Sequence, residues 1–426
     1  MIGISKLYCG SVEASDPLRY GRLAAKLPSH LLQFSQDKKP IVVWNCTRRC
    51  NLACRHCYSQ SADRQYAGEL ATAEGMALLE DLAAFGAPVV LFSGGEPLLR
   101  EDLFELIRRA RELSLRAVIS TNGTLIDERA AGRFAELGLS YVGISLDGME
   151  ATNDKFRGQQ GAFARAIQAI RHCRKAGVKV GLRFTINRYN LADVADIFKL
   201  LADEDIPRVC FYHLVYAGRG SKMVADDLSL AQTRDVVDLI IDKTAQLHAR
   251  GLPKEVLTVD NHADGPYLYL RLLREGARTI SDCGLRIADS SNPKSKIQNL
   301  KSEKSDQHTR AQQVMELLKM NGGNSSGIGI GCVSWDGQVH ADQFWRHYTF
   351  GNVRARKFSE IWTDASEPLM GKLKERKPFL TGRCAACRFL EVCNGNFRVR
   401  AEAVTGDIWA PDPACYLTDE EILKEF

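Results

Sequence analysis

The stretch Cys50-Asn51-Leu52-Ala53-Cys54-Arg55-His56-Cys57 stands just after the apolar run Ile41-Val42-Val43-Trp44. Its cysteines are spaced C-x3-C-x2-C. Three thiolates this close in sequence can hold three irons of a 4Fe–4S cube, which leaves the fourth iron without a protein ligand. An open metal position is where a substrate or cofactor binds, by the logic that separates catalytic from structural metal sites. A plainer reading stands beside it, because C-x2-C alone is common in zinc knuckles and redox motifs. Cys46 and Cys50 are also spaced C-x3-C, yet only Cys50, Cys54 and Cys57 complete the pattern, so Cys46 reads as a strand-end core residue. A second motif follows the triad. Val89-Val90-Leu91-Phe92 reads as a buried strand and runs into Ser93-Gly94-Gly95-Glu96-Pro97. Glycines let a backbone approach a ligand closely, and Glu96 offers an anionic acceptor for an ammonium.

A chain of 426 residues is long enough for two or more domains. At 45% hydrophobic and 26% charged residues it reads as soluble and globular. The net charge of +5 does not call for nucleic acid, though it suits an anionic substrate. Neither a signal-peptide pattern nor an apolar run of spanning length is found, so no membrane partner and a cytoplasmic location are expected. Thirteen cysteines, several of them clustered, then argue for metal rather than disulfides.

From Ile41 onward short apolar runs alternate with helical patterns. Strands are expected at Ile41–Asn45, Pro88–Phe92, Arg116–Ser120, Tyr141–Ser145, Lys179–Ile186 and Arg208–Leu214. Helices are expected at Thr72–Phe85, Leu103–Leu113, Glu128–Leu137, Ala162–Ala176 and Leu191–Glu204, the first with a weak start at Thr72-Ala73-Glu74-Gly75. Such alternation means a parallel sheet with crossover helices, and six units are too few to close an eight-strand barrel. Polar turns follow the strands: Ser120-Thr121-Asn122-Gly123, Ser145-Leu146-Asp147-Gly148, and His213 ahead of Gly218 and Gly220. In β/α architectures that edge carries the chemistry. Residues 1–40 read as a loop-like N-terminal extension with an amphipathic stretch near Leu18 to Leu32, and 41–260 as the β/α body. Residues 215–280 read as helical and polar, with the unusual run Asp260-Asn261-His262-Ala263-Asp264-Gly265. The span 261–329 is taken as a helical linker with a polar insertion near 286–313, rich in Ser and Lys, and 330–426 as a cysteine-rich domain.

That last domain carries Cys384, Cys387, Cys393 and Cys415, spaced C-x2-C-x5-C-x21-C. Four thiolates fully ligate one 4Fe–4S cluster, and a structural zinc site is the alternative. Cys9, Cys173, Cys210 and Cys283 have no partners in spacing and read as free thiols.

The triad and the Gly94–Pro97 turn resemble the signature of the radical S-adenosylmethionine (radical SAM) enzymes. In that family the open iron is chelated by the amino and carboxylate groups of S-adenosylmethionine. The resemblance implies an α/β fold: an open six-unit (β/α)6 partial TIM barrel, with a C-terminal cysteine-rich SPASM/twitch-like domain. It implies that Gly94, Gly95, Glu96 and Pro97 take the methionyl amino group and that Ser145 and Arg157 serve the carboxylate and ribose. Ser120 and Asn122 join the cofactor site, and His56 lies against the adenine where members usually have an aromatic. The second cysteine set resembles the distal auxiliary cluster of the SPASM extension. The cysteines of a further auxiliary cluster are replaced, by Phe397 and by Asp342 after the Asp336-Gly337-Gln338-Val339 hairpin, and Cys332 alone survives. The implied cofactors are two 4Fe–4S clusters, one of them auxiliary, and S-adenosylmethionine. The Asp342 and Phe397 region is expected to face substrate rather than metal.

Further runs, Asp336 to Tyr348, Gly351-Asn352-Val353-Arg354, Cys393 to Arg400 and Trp409 to Tyr416, resemble the radical SAM enzymes of haem d1 biosynthesis. The implied reaction removes two propionate side chains from 12,18-didecarboxysirohaem through a 5′-deoxyadenosyl radical. A low-potential electron donor such as a flavodoxin or ferredoxin is the implied partner. The alternative readings are a radical SAM haem synthase, which decarboxylates iron-coproporphyrin oxidatively, and a SPASM peptide maturase. A maturase would call for a winged-helix recognition module before Ile41, where the stretch is short. A non-catalytic iron–sulfur or zinc protein would not need Gly94–Pro97. A tetrapyrrole needs cations for its carboxylates and aromatics for its face. Arg346, Arg398 and Arg400 are the candidates for the first, and Trp345 and Tyr348 for the second. His213, His340 and His347 are candidate axial ligands or proton donors. No residue is singled out as catalytic.

Overall fold

Apolar runs buried on both sides are what a parallel sheet covered by helices demands, and they build the centre of this molecule. The structure is a computed structural model that describes residues 1–11, 39–287 and 310–423. The stretch from Leu18 to Leu32 and most of the polar insertion lie outside the described residues. In chain order the strands are β1 (Ile2–Gly3), β2 (Ile41–Thr47), β3 (Val89–Gly94), β4 (Arg116–Thr121), β5 (Val142–Ser145), β6 (Val180–Ile186), β7 (Arg208–His213), β8 (Glu255–Val259), β9 (Ile330–Val333), β10 (Gln338–His340) and β11 (Gly351–Asn352). They form one sheet in the order β1-β8-β7-β6-β5-β4-β3-β2-β9-β10-β11. From β8 to β9 every neighbouring pair is parallel, while β1 and the β10–β11 hairpin are antiparallel edges.

Strands β2 to β7 and their helices are the six units of an open partial barrel, the radical SAM type of α/β fold. The strand β8 was not expected, because residues 215–280 read as helical. In the structure that span holds the helix Leu230–Ala249, then β8, then a helix from Asp264. Ser229 starts the first of these helices by accepting from Gln232 N at 3.2 Å, with Gln232 reaching back to Ser229 N. Among the described residues no helix is long and apolar enough to cross a membrane.

The two faces of the sheet differ. Trp44, Phe92, Ile119, Ile144, Phe184 and Phe211 point out beneath the helices and form the main core. Their neighbours Ser93, Ser120, Ser145, Arg183 and Tyr212 point into the barrel. Period-2 alternation therefore places a row of polar groups inside the barrel, towards the C-terminal ends of the strands.

Candidate active site

The cysteine loop leaves the end of β2 and is clamped to the end of β3. Gly95 N donates to Thr47 O and Glu96 N to Arg49 O, both at 2.8 Å. A Cβ at Gly94, where φ is +122°, would lie 2.2 Å from Thr47 O, and one at Gly95 would lie 2.0 Å from Arg49 O. The two glycines thus allow two protein loops to touch. Glu96 sits behind the cavity wall. It is fully buried, does not line the cavity, and accepts from Leu98 N (3.1 Å), Thr121 Oγ1 (2.8 Å) and Asn122 N (2.8 Å). The carboxylate ties β3 to β4. Pro97 begins a 3-10 turn behind it and likewise does not line the cavity.

The remaining triad and cofactor candidates share one cavity above β2 to β7: Cys50, Cys54, Cys57, His56, Gly94, Gly95, Ser120, Asn122, Ser145 and Arg157. Donors face the sulfurs. Arg157 Nη1 lies 3.5 Å from Cys54 Sγ, Asn122 Nδ2 lies 3.9 Å from Cys50 Sγ, and Ser59 Oγ lies 3.4 Å from Cys57 Sγ. Arg157 is held by the fully buried Asp147 at 2.5 Å, and Asp147 Oδ1 accepts from Thr185 N. His56 packs on Phe156 with ring centres 4.9 Å apart, and burial drives its pKa down to about 4, so the ring is neutral. Burial pushes the Cys50 thiol up to about 12 and raises Cys54 as well. Burial acts on Cys57 too, but Ser59 and Arg219 outweigh it and hold this thiol below its ordinary value. A metal reverses such penalties by taking the thiolate outright. His56 Nδ1 and Arg157 Nε are buried without a protein hydrogen bond. Three thiols on one cavity, donors aimed at sulfur and spare polar atoms in the wall fit a three-thiolate cluster with S-adenosylmethionine beside it.

The substrate candidates divide. His213 lines the same cavity, and its Nε2 is 2.9 Å from Asp264 Oδ2. Arg346 and His347 line an adjoining groove that shares Tyr58 and Phe344 with the cavity. The others are structural. Arg400 is fully buried, binds both oxygens of Asp412 at 2.8 Å, and donates to Leu214 O and Asp260 O. Arg398 is spent on the carbonyls of Ile408, Ala410 and Gly395. Both nitrogens of the buried His340 are used, by Ser334 Oγ at 2.9 Å and Tyr348 O at 2.6 Å. Trp345 Nε1 and Tyr348 Oη both end on Glu402. Asp342 was expected to face substrate. It is buried instead, and accepts from Ser326 Oγ, Phe344 N and Trp345 N. Phe397 packs 5.6 Å from Phe344 in an apolar cluster. Cys332 is buried on β9 and accepts from Asn45 Nδ2 at 3.4 Å.

A second, smaller cavity is lined by Cys384, Cys387, Cys393 and Cys415 with Phe389, Leu390 and Leu417. The run Asn394-Gly395-Asn396 turns the chain there with three successive positive φ values. Burial raises the Cys387 and Cys393 thiols and takes Cys415 to about 12. Four thiols on one apolar cavity fit a fully ligated cluster.

The sequence reading passed over Arg183, Tyr212 and Asp260, which also line the main cavity. Arg183 and Tyr212 stand inside strands and belong to no motif. Their only signal is a charge or a hydroxyl in the middle of an apolar run. Asp260, buried at φ +66°, lies in the run noted as unusual.

Comparison with known proteins follows the same outline. The Radical SAM superfamily profile matches residues 44–212. The Fe-coproporphyrin III synthase of Methanosarcina barkeri is 63% identical over 99% of this chain and 99% of its own. The pre-heme d1 synthase of Dinoroseobacter shibae is 43% identical over 90% of this chain and 87% of its own. Among solved structures, Streptococcus suis SuiB bound to S-adenosylmethionine superposes with a TM-score of 0.65 at 17% identity, covering 89% of this chain and 78% of that one. These relatives overturn the expectation of haem d1 formation. The whole-length match at 63% bears the name of a haem-type synthase, and the haem d1 enzyme stands twenty points lower, at 43%.

Proposed function

Since the chain belongs to the radical SAM superfamily, we propose that it is a tetrapyrrole enzyme that forms Fe-coproporphyrin III. The observation that carries this is the 63% identity, over 99% of both chains, to a Fe-coproporphyrin III synthase. The haem-synthase alternative drawn from the sequence treated iron-coproporphyrin as the substrate. The relative's name makes it the product, and we follow the relative. The substrate class is then an iron tetrapyrrole of sirohaem type that carries extra carboxylate side chains.

Cys50, Cys54 and Cys57 would hold one 4Fe–4S cluster, and the cavity wall from Gly94 to Arg157 would hold S-adenosylmethionine. Bound there, cluster and cofactor supply a 5′-deoxyadenosyl radical for hydrogen abstraction. The chain's own residues position and shield. Asp147 fixes Arg157 beside Cys54, where the guanidinium would pair with a carboxylate of the bound cofactor. Neutral His56, backed by Phe156, offers a flat apolar surface for a base. Asp264 fixes the tautomer and direction of His213, which can hold a proton at the cavity wall. Cys384, Cys387, Cys393 and Cys415 would hold a second 4Fe–4S cluster. A low-potential donor such as a flavodoxin or ferredoxin would reduce the site.

The test is mass spectrometry of the products when reduced, cluster-loaded protein is given S-adenosylmethionine and 12,18-didecarboxysirohaem. Fe-coproporphyrin III should appear together with 5′-deoxyadenosine. Replacement of propionates by oxo groups would reject the proposal. So would conversion of added Fe-coproporphyrin III to a divinyl product with none formed from the sirohaem-type substrate.

A further inference from the structure

Arg183 lines the cavity without an ion-pair partner among the described residues. Its register on β6 is opposite Ser145 on β5 and Cys210 on β7, so it points into the barrel. It lines the main cavity and also another one beneath, towards the N-terminal ends of the strands. The guanidinium therefore forms part of the floor between them. Its carbon stands 4.6 Å from the centre of the Tyr212 ring. Among the described residues it makes no side-chain hydrogen bond and no ion pair. Three buried arginines nearby do: Arg157 has Asp147, Arg208 has Glu255, and Arg400 has Asp412. Asp260 faces the same cavity and feels the Arg183 charge, but makes no direct ion pair with it.

The barrel is also cut to admit this side chain. A Cβ at Gly143, on the neighbouring strand, would lie 2.9 Å from Arg183 Cδ. The position opposite that glycine on β6, Gly181, would bring a Cβ within 2.6 Å of Tyr141 Oη. Two inward glycines thus open the space in which a long cation lies. An unpaired cation inside a fold is costly. Its retention in a made space points to a partner that arrives with the ligand.

We propose that Arg183 is a carboxylate receptor for the tetrapyrrole, taking one side chain that the reaction leaves in place. The cysteine loop follows β2, and Arg183 is on β6, four strands along the curved sheet. A side chain undergoing reaction belongs beside the triad, so the carboxylate at Arg183 is one remote from the chemistry. Guanidinium binds carboxylate bidentately, and remote contacts of this kind fix the orientation of the reacting part. The Tyr212 ring supports the guanidinium by a cation–π contact. This inference rests on the proposed tetrapyrrole activity.

The experiment is an absorbance titration of the cluster-loaded protein with Fe-coproporphyrin III, for wild type, Arg183→Met and Arg183→Lys. S-adenosylmethionine binding is measured in parallel by equilibrium dialysis. Arg183→Met should weaken Fe-coproporphyrin III roughly tenfold to a hundredfold, the range of one charge-assisted pair. Arg183→Lys should fall between. The tetra-amide of the porphyrin should bind wild type and Arg183→Met alike, because it has no carboxylate to lose. S-adenosylmethionine affinity should hold within about twofold. The Met variant should melt no lower than wild type, since it removes an unpaired charge; a purely structural arginine would show the reverse. Unchanged porphyrin affinity in Arg183→Met overturns the inference and leaves the proposed activity standing. A loss confined to S-adenosylmethionine reassigns the cation to the cofactor and also overturns it. A wild type that binds no Fe-coproporphyrin III sinks the activity, and the inference with it.

Discussion

The carboxylate of Glu96 is wholly enclosed, yet it accepts three hydrogen bonds from Leu98 N, Thr121 Oγ1 and Asn122 N. Burial is the larger influence, and it raises the pKa from 4.5 to about 6. The sign follows directly. The folded state holds its proton more tightly than the unfolded chain does. The contribution of Glu96 to stability is therefore complete below pH 4.5 and is lost as the pH rises through about 6. A shift of this size corresponds to about 2 kcal/mol. In Glu96→Gln the pH-dependent part should vanish, while a constant penalty appears because the Asn122 N–H now faces an amide NH2. Urea unfolding at several pH values from 4.5 to 7.5 should show wild type losing about 2 kcal/mol of its advantage over the variant. A constant difference across that range would show that the carboxylate does not titrate in this way. Arg398 and Arg400 make the complementary point. Their charges suggested substrate carboxylates, but a charge in a sequence does not reveal that Asp412 and backbone carbonyls already answer it.

At the scale of elements, the site depends on the β2 and β3 loops touching backbone to backbone. The separation of 2.0 Å between a Cβ at Gly95 and Arg49 O cannot be relieved by rotating a side chain, because the backbone fixes the position of both atoms. Gly95→Ala should therefore displace the triad loop while leaving the distant second cysteine set intact. Of about eight irons expected from two four-iron clusters, about four should remain. A variant retaining all of them would show that the loops can separate without loss. The same loops explain what was legible beforehand. The strands β2 to β7 were readable because each is an apolar run ending in a polar turn at a regular interval. The triad and Gly94-Gly95 were readable because their geometry is local. β8 was missed because Glu255-Val256-Leu257-Thr258-Val259 is short and flanked by polar helical sequence, so only its pairing with Arg208–Tyr212 reveals it. Arg183 was missed for a related reason. Its meaning lies in what faces it across β5 and β7, and no sequence interval encodes that.

Across the whole molecule, the four-cysteine segment is stitched to the rim of the barrel. Arg400 ties it to the carbonyls of Leu214 and Asp260, and Tyr416 Oη donates to Asp264, the residue that orients His213. Asn396 is the tightest stitch. Its Nδ2 donates to Asn261 Oδ1 at 2.7 Å, and its Oδ1 accepts from His262 N, also at 2.7 Å. It stands three residues after Cys393 at φ +57°, a conformation that asparagine tolerates better than most residues. Asn396→Ala would leave the buried His262 N–H without a partner, leave Asn261 Oδ1 with only Ala263 N as donor, and add strain to the backbone. At about 1–3 kcal/mol per unsatisfied group, the expected loss is about 2–4 kcal/mol, a large share of a typical domain's stability. The second cavity should fail first, because its wall includes Asn396 itself. Iron should fall towards about four per chain, with the triad cluster retained. Chemical unfolding and iron analysis on the same preparation would check both parts. A stability change below about 0.5 kcal/mol, the scale of a neutral surface substitution, would mean that the cysteine segment and the barrel are joined mainly by apolar packing.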